Sequence, residues 1–228
     1  MPTCATRWRE KARLDAAERL SLHGALSAQN LAQVMSRVTP AASGGVWDRV
    51  DAFQRLNAAV NAADPDAVAQ TLPDAWAAMQ SIRAEVAFAS LYAAPLARLD
   101  LTGPAAAIAT TLGLLSDDYA GVAARATTLD PMLKAVATGD FTDVMPQTAM
   151  DEAIVAGFAQ KIPPEVFVDL LKDKKLGEAL LRVLPVFDAG VAGDARSVTD
   201  ALLVLRRAGL DDTARRATLQ LLLLDRAT

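Results

Sequence analysis

Side chains suited to chemistry are scarce in this chain, and that scarcity is the first thing the sequence says about function. One histidine, His23, and one cysteine, Cys4, are present among 228 residues. A zinc site built from cysteine and histidine needs about four such ligands, so none can be assembled within the chain, and no disulfide framework can form. A Ser-His-Asp triad would have to use His23. That residue stands beside Gly24 at the end of an expected helix, where a histidine interacts favourably with the helix dipole, so a helix-end role is expected. Cys4 lies in an expected frayed terminus with no second thiol and no nearby histidine, which argues against a thiol nucleophile.

Phosphate- and metal-binding signatures are missing as well. There is no G-x-x-x-x-G-K-[ST] loop, no strand-led G-x-G-x-x-G, no H-E-x-x-H and no Asp-rich calcium loop. No cofactor and no metal are expected. Acid pairs remain: Asp117-Asp118, Asp151-Glu152 and Asp211-Asp212. Adjacent acids at a helix start serve as caps and as partners of the helix dipole. Hydrolytic or metal chemistry would need such acids to converge in space. Gly121 stands where the acidic motif of isoprenoid-processing helical enzymes would place a third acid after Asp117-Asp118, and no second motif follows. That likeness is therefore rejected.

The elements that would have to position any site are helical. The chain is 52% hydrophobic and 22% charged, with a net charge of −4 and few aromatic residues. Alanine, the best helix former, supplies about a fifth of it. Arg7 to Leu22 reads as a first helix, stopped at Gly24. Ser27 can cap a second carrying Leu31, Val34, Met35 and Val38. Thr39-Pro40 and Ser43-Gly44-Gly45 make a break. Trp47, Val50, Phe53, Leu56 and Val60 recur at helical spacing, and Asp64-Pro65 both stops that helix and starts the next. Pro73-Asp74 reads as a further break. Trp76 to Leu91 reads as one long helix ending before Pro95.

Shorter helices follow from Thr102-Gly103-Pro104, Ser116-Asp117-Asp118 and Asp130-Pro131, the last closed by Gly139. Phe141 to Pro146 reads as loop. Further helices carry Met150 to Phe158 and Val166 to Leu171. Another carries Leu176 to Leu184, with Pro185 kinking or ending it.

The final segment is written most clearly. Val198 to Arg207 leads into Gly209, a residue suited to the left-handed stop, with Leu210 placed to pack back on Leu205. Asp211 and Asp212 then open an apolar helix at its positive end, while Arg206 and Arg207 sit at the negative end of the one before.

The expected fold is all-α: antiparallel helical hairpins forming either a helical repeat or an irregular bundle. Helix pairs recur roughly every 30 to 45 residues, the territory of helical repeats. The architecture is similar to a tetratricopeptide array. The pattern departs from one, because Gly209 follows Ala208 in the turn and no proline closes the second helix. Two regions are expected, residues 1–139 and 140–228, with one continuous domain as the alternative. Gly44-Gly45 and the Phe141 to Pro146 loop are the candidate boundaries.

Basic residues are interleaved with acids, Lys172, Lys174 and Lys175 with Asp169 and Asp173, so no nucleic-acid partner is expected. The longest weakly polar stretch, Pro104 to Leu115, is short of the ~20 residues that span a bilayer. No signal peptide is visible, so a cytoplasmic location is expected, or an extracytoplasmic one should the natural N-terminus differ. These features point to a non-enzymatic scaffold that binds a protein partner on a helical face, with a homo-oligomer as a further option. Trp8, Arg206, Arg207 and Leu222 are the candidate partner-binding residues. Trp47 and Trp76 fall on apolar stripes and are expected in the core. The run Leu221 to Leu224 is apolar nearly all round, so it is either buried on several sides or docks something. The alternatives are a helical carrier enclosing an apolar ligand and an enzyme using converging carboxylates.

Overall fold

A computed structural model describes residues 4–40, 44–160 and 162–224, with the side chains of residues 4–7 outside that description. The Cys4 thiol, the Arg7 side chain and Ser43 therefore lie beyond it. Among the described residues the chain is all-helical, with thirteen helices and no strand. It divides into two compact units, Met1–Tyr119 and Ala120–Thr228. The boundary expected at 139/140 lies inside the second unit.

The first unit holds α1 (Cys4–Leu22), α2 (Ala28–Arg37), α3 (Val46–Asn61), α4 (Pro65–Gln80), α5 (Glu85–Leu96) and α6 (Gly103–Leu114). α3 and α4 form its antiparallel centre, α6 packs on α4 and α5, and α1 and α2 both lie against α3. The core follows the helical stripe. Val50, Phe53 and Leu56 of α3 and Val68, Leu72 and Met79 of α4 are all buried where the two helices pack together. Phe53, Phe88 and Tyr92 form an aromatic cluster with ring centroids 4.7–5.9 Å apart, and Trp76 stands 6.3 Å from Phe88. The Tyr92 hydroxyl donates to Asn57 Oδ1 (3.3 Å), and burial pushes its pKa up. α1 is pinned by a two-pronged ion pair in which Arg49 Nε and Nη2 donate to the buried Glu18 carboxylate at 2.8 and 2.6 Å. That bond holds the Arg49 guanidinium above its ordinary pKa.

The second unit contains α7 (Tyr119–Arg125), which begins at the boundary, and then α8 (Pro131–Thr138), α9 (Ala149–Ala159) and α10 (Glu165–Lys172). α11 (Leu176–Val191), α12 (Ala195–Arg207) and α13 (Asp211–Leu223) complete it. α12 is its centre, packed between α9 and α11, while α13 lies against α8 and α12. Two glycines permit the closest approaches. A Cβ at Gly157 would sit 2.9 Å from Leu202, and one at Gly190 2.7 Å from Val198.

The central hairpins of the two units are written in one register. An offset of 130 residues takes Val46–Asn61 onto Leu176–Val191, and the α4 start at Pro65 onto the α12 start at Ala195. The link is the same in both. Ala63 and Gly193 occupy the left-handed region, and the next N–H reaches back five residues, Asp64 to Ala59 and Asp194 to Ala189. Asp64 and Asp194 then cap the second helix, and Val68, Leu72, Val198 and Leu202 are its fully buried anchors.

Three prolines expected to break helices do not. Pro73, Pro95 and Pro185 lie inside α4, α5 and α11. A helical proline orphans the carbonyl four residues before it. Those carbonyls belong to Ala69, Leu91 and Leu181, none of which is buried, so water can take the bond. The long helix expected over Trp76–Leu91 is instead split. Arg83 adopts φ 53° and Ala84 N–H bonds to Met79 O, closing α4 and redirecting the chain so that Phe88 and Tyr92 face the core.

Candidate binding groove of the second unit

The end of α13 is where apolar side chains lack cover. Leu219 and Leu224 are buried, but Leu221, Leu222 and Leu223 are only half-buried. A cleft of about 660 Å³ opens beside them, floored by Leu221 and Leu224 and walled by Phe187 and Val191 of α11 and Met150 of α9. Leu222 also lines a second cleft of about 560 Å³, formed with Met132 and Leu133 of α8 and with Val144 and Met145 of the loop before α9. Leu222 is thus the ridge between two apolar clefts.

That loop is built from local chemistry. Asp140 accepts bonds from the Thr142 N–H (3.1 Å) and hydroxyl (2.6 Å), which hold its carboxyl below the usual range. Phe141 stacks on Phe158 at 4.9 Å and anchors the loop to α9. Met145 is left 83% exposed at the mouth. Methionines are adaptable packing surfaces, and three of them, Met132, Met145 and Met150, border the two clefts.

Among the described residues, every charge lining the clefts is negative. Asp188 borders the first, and Asp130, Asp143 and Asp151 border the second. Asp130 caps α8, accepting from the Met132 and Leu133 N–H groups. Asp151 forms a capping box with Thr148 at the start of α9.

The residues singled out from sequence do not gather in one place. Leu222 lies in the groove. Arg206 serves the second unit's own frame. Its Nη1 donates to Gly157 O (2.9 Å) and Phe158 O at the end of α9, its guanidinium stands 5.3 Å from the Phe158 ring, and its Nε meets Asp211 at 3.2 Å. Arg215 plays a similar part at the end of α8, donating to Ala137 O (3.4 Å). Arg207 is exposed and lines smaller clefts, one with Leu176 and Lys172 and another with Gln160. Trp8 belongs to the first unit and is 75% exposed.

The acid pairs sit at helix starts, as expected. Asp211 and Asp212 are the first residues of α13 and pair with Arg206 and Arg216, and Asp117-Asp118 immediately precede α7. His23 is exposed just past α1, beside Gly24 at φ 68°. Among the described residues no three histidine, cysteine or acidic side chains converge as metal ligands, and no helix is long and apolar enough to cross a membrane.

Sequence reasoning named Leu221 to Leu224 but missed Phe187, Val191, Met150 and Met145. The first two lie beyond Pro185, where the sequence predicts that the helix kinks or ends; Met150 falls on the stripe of its own helix, which does not say that it faces α13, and Met145 lies in a stretch that reads as loop. Comparison with protein-family models, with curated proteins and with solved structures gives no match to this chain.

Proposed function

We propose that this chain is a non-catalytic helical interaction module, and that its second unit takes up an amphipathic α-helix of a protein partner across Leu222. One observation carries the reading: two adjoining apolar clefts share Leu222 as their ridge and are lined by carboxylates as their only charges among the described residues. A helix laid in such a groove offers apolar anchors at i, i+3, i+4 and i+7. The rim of Asp188, Asp143 and Asp151 complements lysine or arginine flanking the anchors. The methionine border supports it, because such surfaces repack around different helices.

The test uses a labelled synthetic leucine–lysine amphipathic helix as probe, with a scrambled peptide of the same composition as control. Saturable binding with Kd on the order of micromolar is expected for the amphipathic peptide alone. Leu222→Asp should weaken it about tenfold or more, while Asp143→Asn should reduce its salt dependence. Met150→Asp provides a second variant should Leu222→Asp disturb α13. Equal binding of both peptides, or indifference to both apolar substitutions, overturns the reading.

The first cleft also falls within the ~300–1,000 Å³ of small-molecule sites, which favours an apolar-ligand carrier as the second reading. Displacement of a fluorescent fatty-acid probe, without peptide binding, would select it.

A further inference from the structure

We propose that this chain self-associates through the α10–α11 hairpin, two copies laying α11 against α11 antiparallel about Leu181 and Leu184. The starting observation is a helix with far more apolar surface than its own unit covers. α11 buries only Ala179, Val183 and Gly190, which define its inner face. Leu181 and Leu184 point elsewhere and are 71% and 58% exposed, with Leu176 at 42% at the start of the helix. Val166 of the adjoining α10 is 52% exposed as well. Scattered exposed apolar residues are ordinary, but successive leucines on one exposed helix face are the mark of an interface.

The first unit shows how the corresponding positions are satisfied within a unit's own fold. In the shared register, Leu181 corresponds to Asp51 and Leu184 to Gln54. Asp51 is exposed and pairs with Arg55 at 2.9 Å. Gln54 donates to the carbonyls of Met35 and Val38 at the end of α2, both at 2.7 Å. A polar residue with a place in the fold thus stands at each of these positions in α3. In α11 both are leucine, and among the described residues both stay largely exposed.

Charge along the hairpin selects the occupant. The turn between α10 and α11 carries Lys172, Lys174 and Lys175, all exposed. Lys172 and Lys175 pair locally with Asp169 (3.9 Å) and Asp173 (3.2 Å), and Lys174 makes no ion pair among the described residues. Near the far end of α11 stands the exposed Asp188. The turn therefore carries one lysine, Lys174, beyond its local acids, and Asp188 gives the far end of α11 the opposite sign, with leucines between. Antiparallel pairing of two copies sets the basic turn of each beside the acidic end of the other and leucine on leucine at the centre. A twofold contact of this kind is self-complementary, since each residue's partner meets the same residue's copy. A 16-residue helix is about 24 Å long, enough for the leucines and both charged ends to engage together. The exposed Glu178–Arg182 pair (2.6 Å) flanks the leucines and belongs at the rim.

Sedimentation equilibrium of the full chain over a wide concentration range tests this. A monomer–dimer equilibrium is expected. The double variant Leu181→Asp with Leu184→Gln, which restores the residues of α3, should weaken dimerisation about tenfold or more and leave the melting temperature of the monomer unchanged. Lys174→Glu and Asp188→Lys should each weaken it about threefold, and their combination should recover the wild-type constant, because the swapped charges again face each other. A chain that is monomeric throughout overturns the proposal, as does a dimer indifferent to the leucine substitutions. Failure of the double charge swap to recover overturns the antiparallel pairing.

Discussion

α3 and α11 are helices of equal length in equivalent places, and they are treated differently by their surroundings. α3 buries seven side chains, from Val46 to Ala59. α11 buries three. The difference is not apolar content, since α11 has the richer supply of leucine. It lies in what is laid on top. α1 and α2 both cover α3, and Arg49 and Gln54 reach out to hold them. α11 has α12 beneath it and α10 beside it, and the rest of its apolar arc faces outward. A shared hairpin is closed into a core in one unit and leaves a face available in the other. Helix patterning alone does not separate these outcomes, because burial of an amphipathic face depends on a neighbour supplied elsewhere in the chain.

The sharpest way to break this contrast is to remove the pin on α1. Arg49→Ala leaves the Glu18 carboxylate buried without its partner, and losing one member of a buried pair costs about 3 kcal/mol or more. Chemical denaturation should show that loss. Arg182→Ala in the exposed Glu178–Arg182 pair of α11 should cost under about 0.5 kcal/mol. Comparable losses at both sites would mean that α11 is covered after all.

A smaller effect comes from the register itself. Gly190 corresponds to Val60 of α3. The Gly190 position meets Val198 so closely that Gly190→Val should cost about 2 kcal/mol through overpacking of α11 on α12. If thermal unfolding were unchanged, the tight crossing of the second hairpin would be wrong.

Smaller again is the exchange of the link residues. Gly193 at φ 110° should lose about 1 kcal/mol on substitution by alanine. Ala63 at φ 52° already carries such strain, so Ala63→Gly should relieve part of it and raise the melting temperature.

Much of the fold was legible because helix ends are written locally. Asp64-Pro65, Asp130-Pro131 and Ser27 cap as their chemistry predicts, the aspartates accepting from the N–H groups two and three residues on and Ser27 from the one three residues on. The last turn is the clearest case. Gly209 takes φ 80° and the Leu210 N–H bonds to Leu205 O, as the Ala-Gly-Leu sequence predicts. The prolines misled because a proline's cost depends on whether the carbonyl it orphans can reach water, and that is a tertiary fact. Arg206 stands out from sequence as a candidate for a partner; that its guanidinium also lies on carbonyls about fifty positions earlier in the chain is not legible there. No local pattern announces such a cap. The groove was half legible. The leucines at the end of α13 stood out, but the wall they face comes from α11 and from the loop before α9, and only folding brings these together.

The smallest predicted effect sets two acids of one helix against each other, and its sign is the informative part. Asp194 accepts from the Ser197 hydroxyl, chiefly on that account lies below the usual carboxylate range, and caps α12. A lowered pKa contributes stability that is present above the ordinary carboxylate value and lost as pH falls through the lowered one. Asp200, two turns on, is raised by burial, with Arg196 opposing the shift and Asp194 adding to it. A raised carboxylate contributes stability only below its unfolded value and loses it as pH rises through the folded one. At neutral pH Asp194→Asn should therefore destabilise slightly, and Asp200→Asn should stabilise slightly. Both differences should shrink towards acid, in thermal melts taken across the carboxylate range. Asp64, which opens the corresponding helix of the first unit, has alanine, Ala67, where Asp194 has Ser197. Ser197→Ala should accordingly weaken the pH dependence of the second unit and bring its cap closer to that of the first. A Ser197→Ala melt with the wild-type pH profile would show that the hydroxyl is not what lowers Asp194.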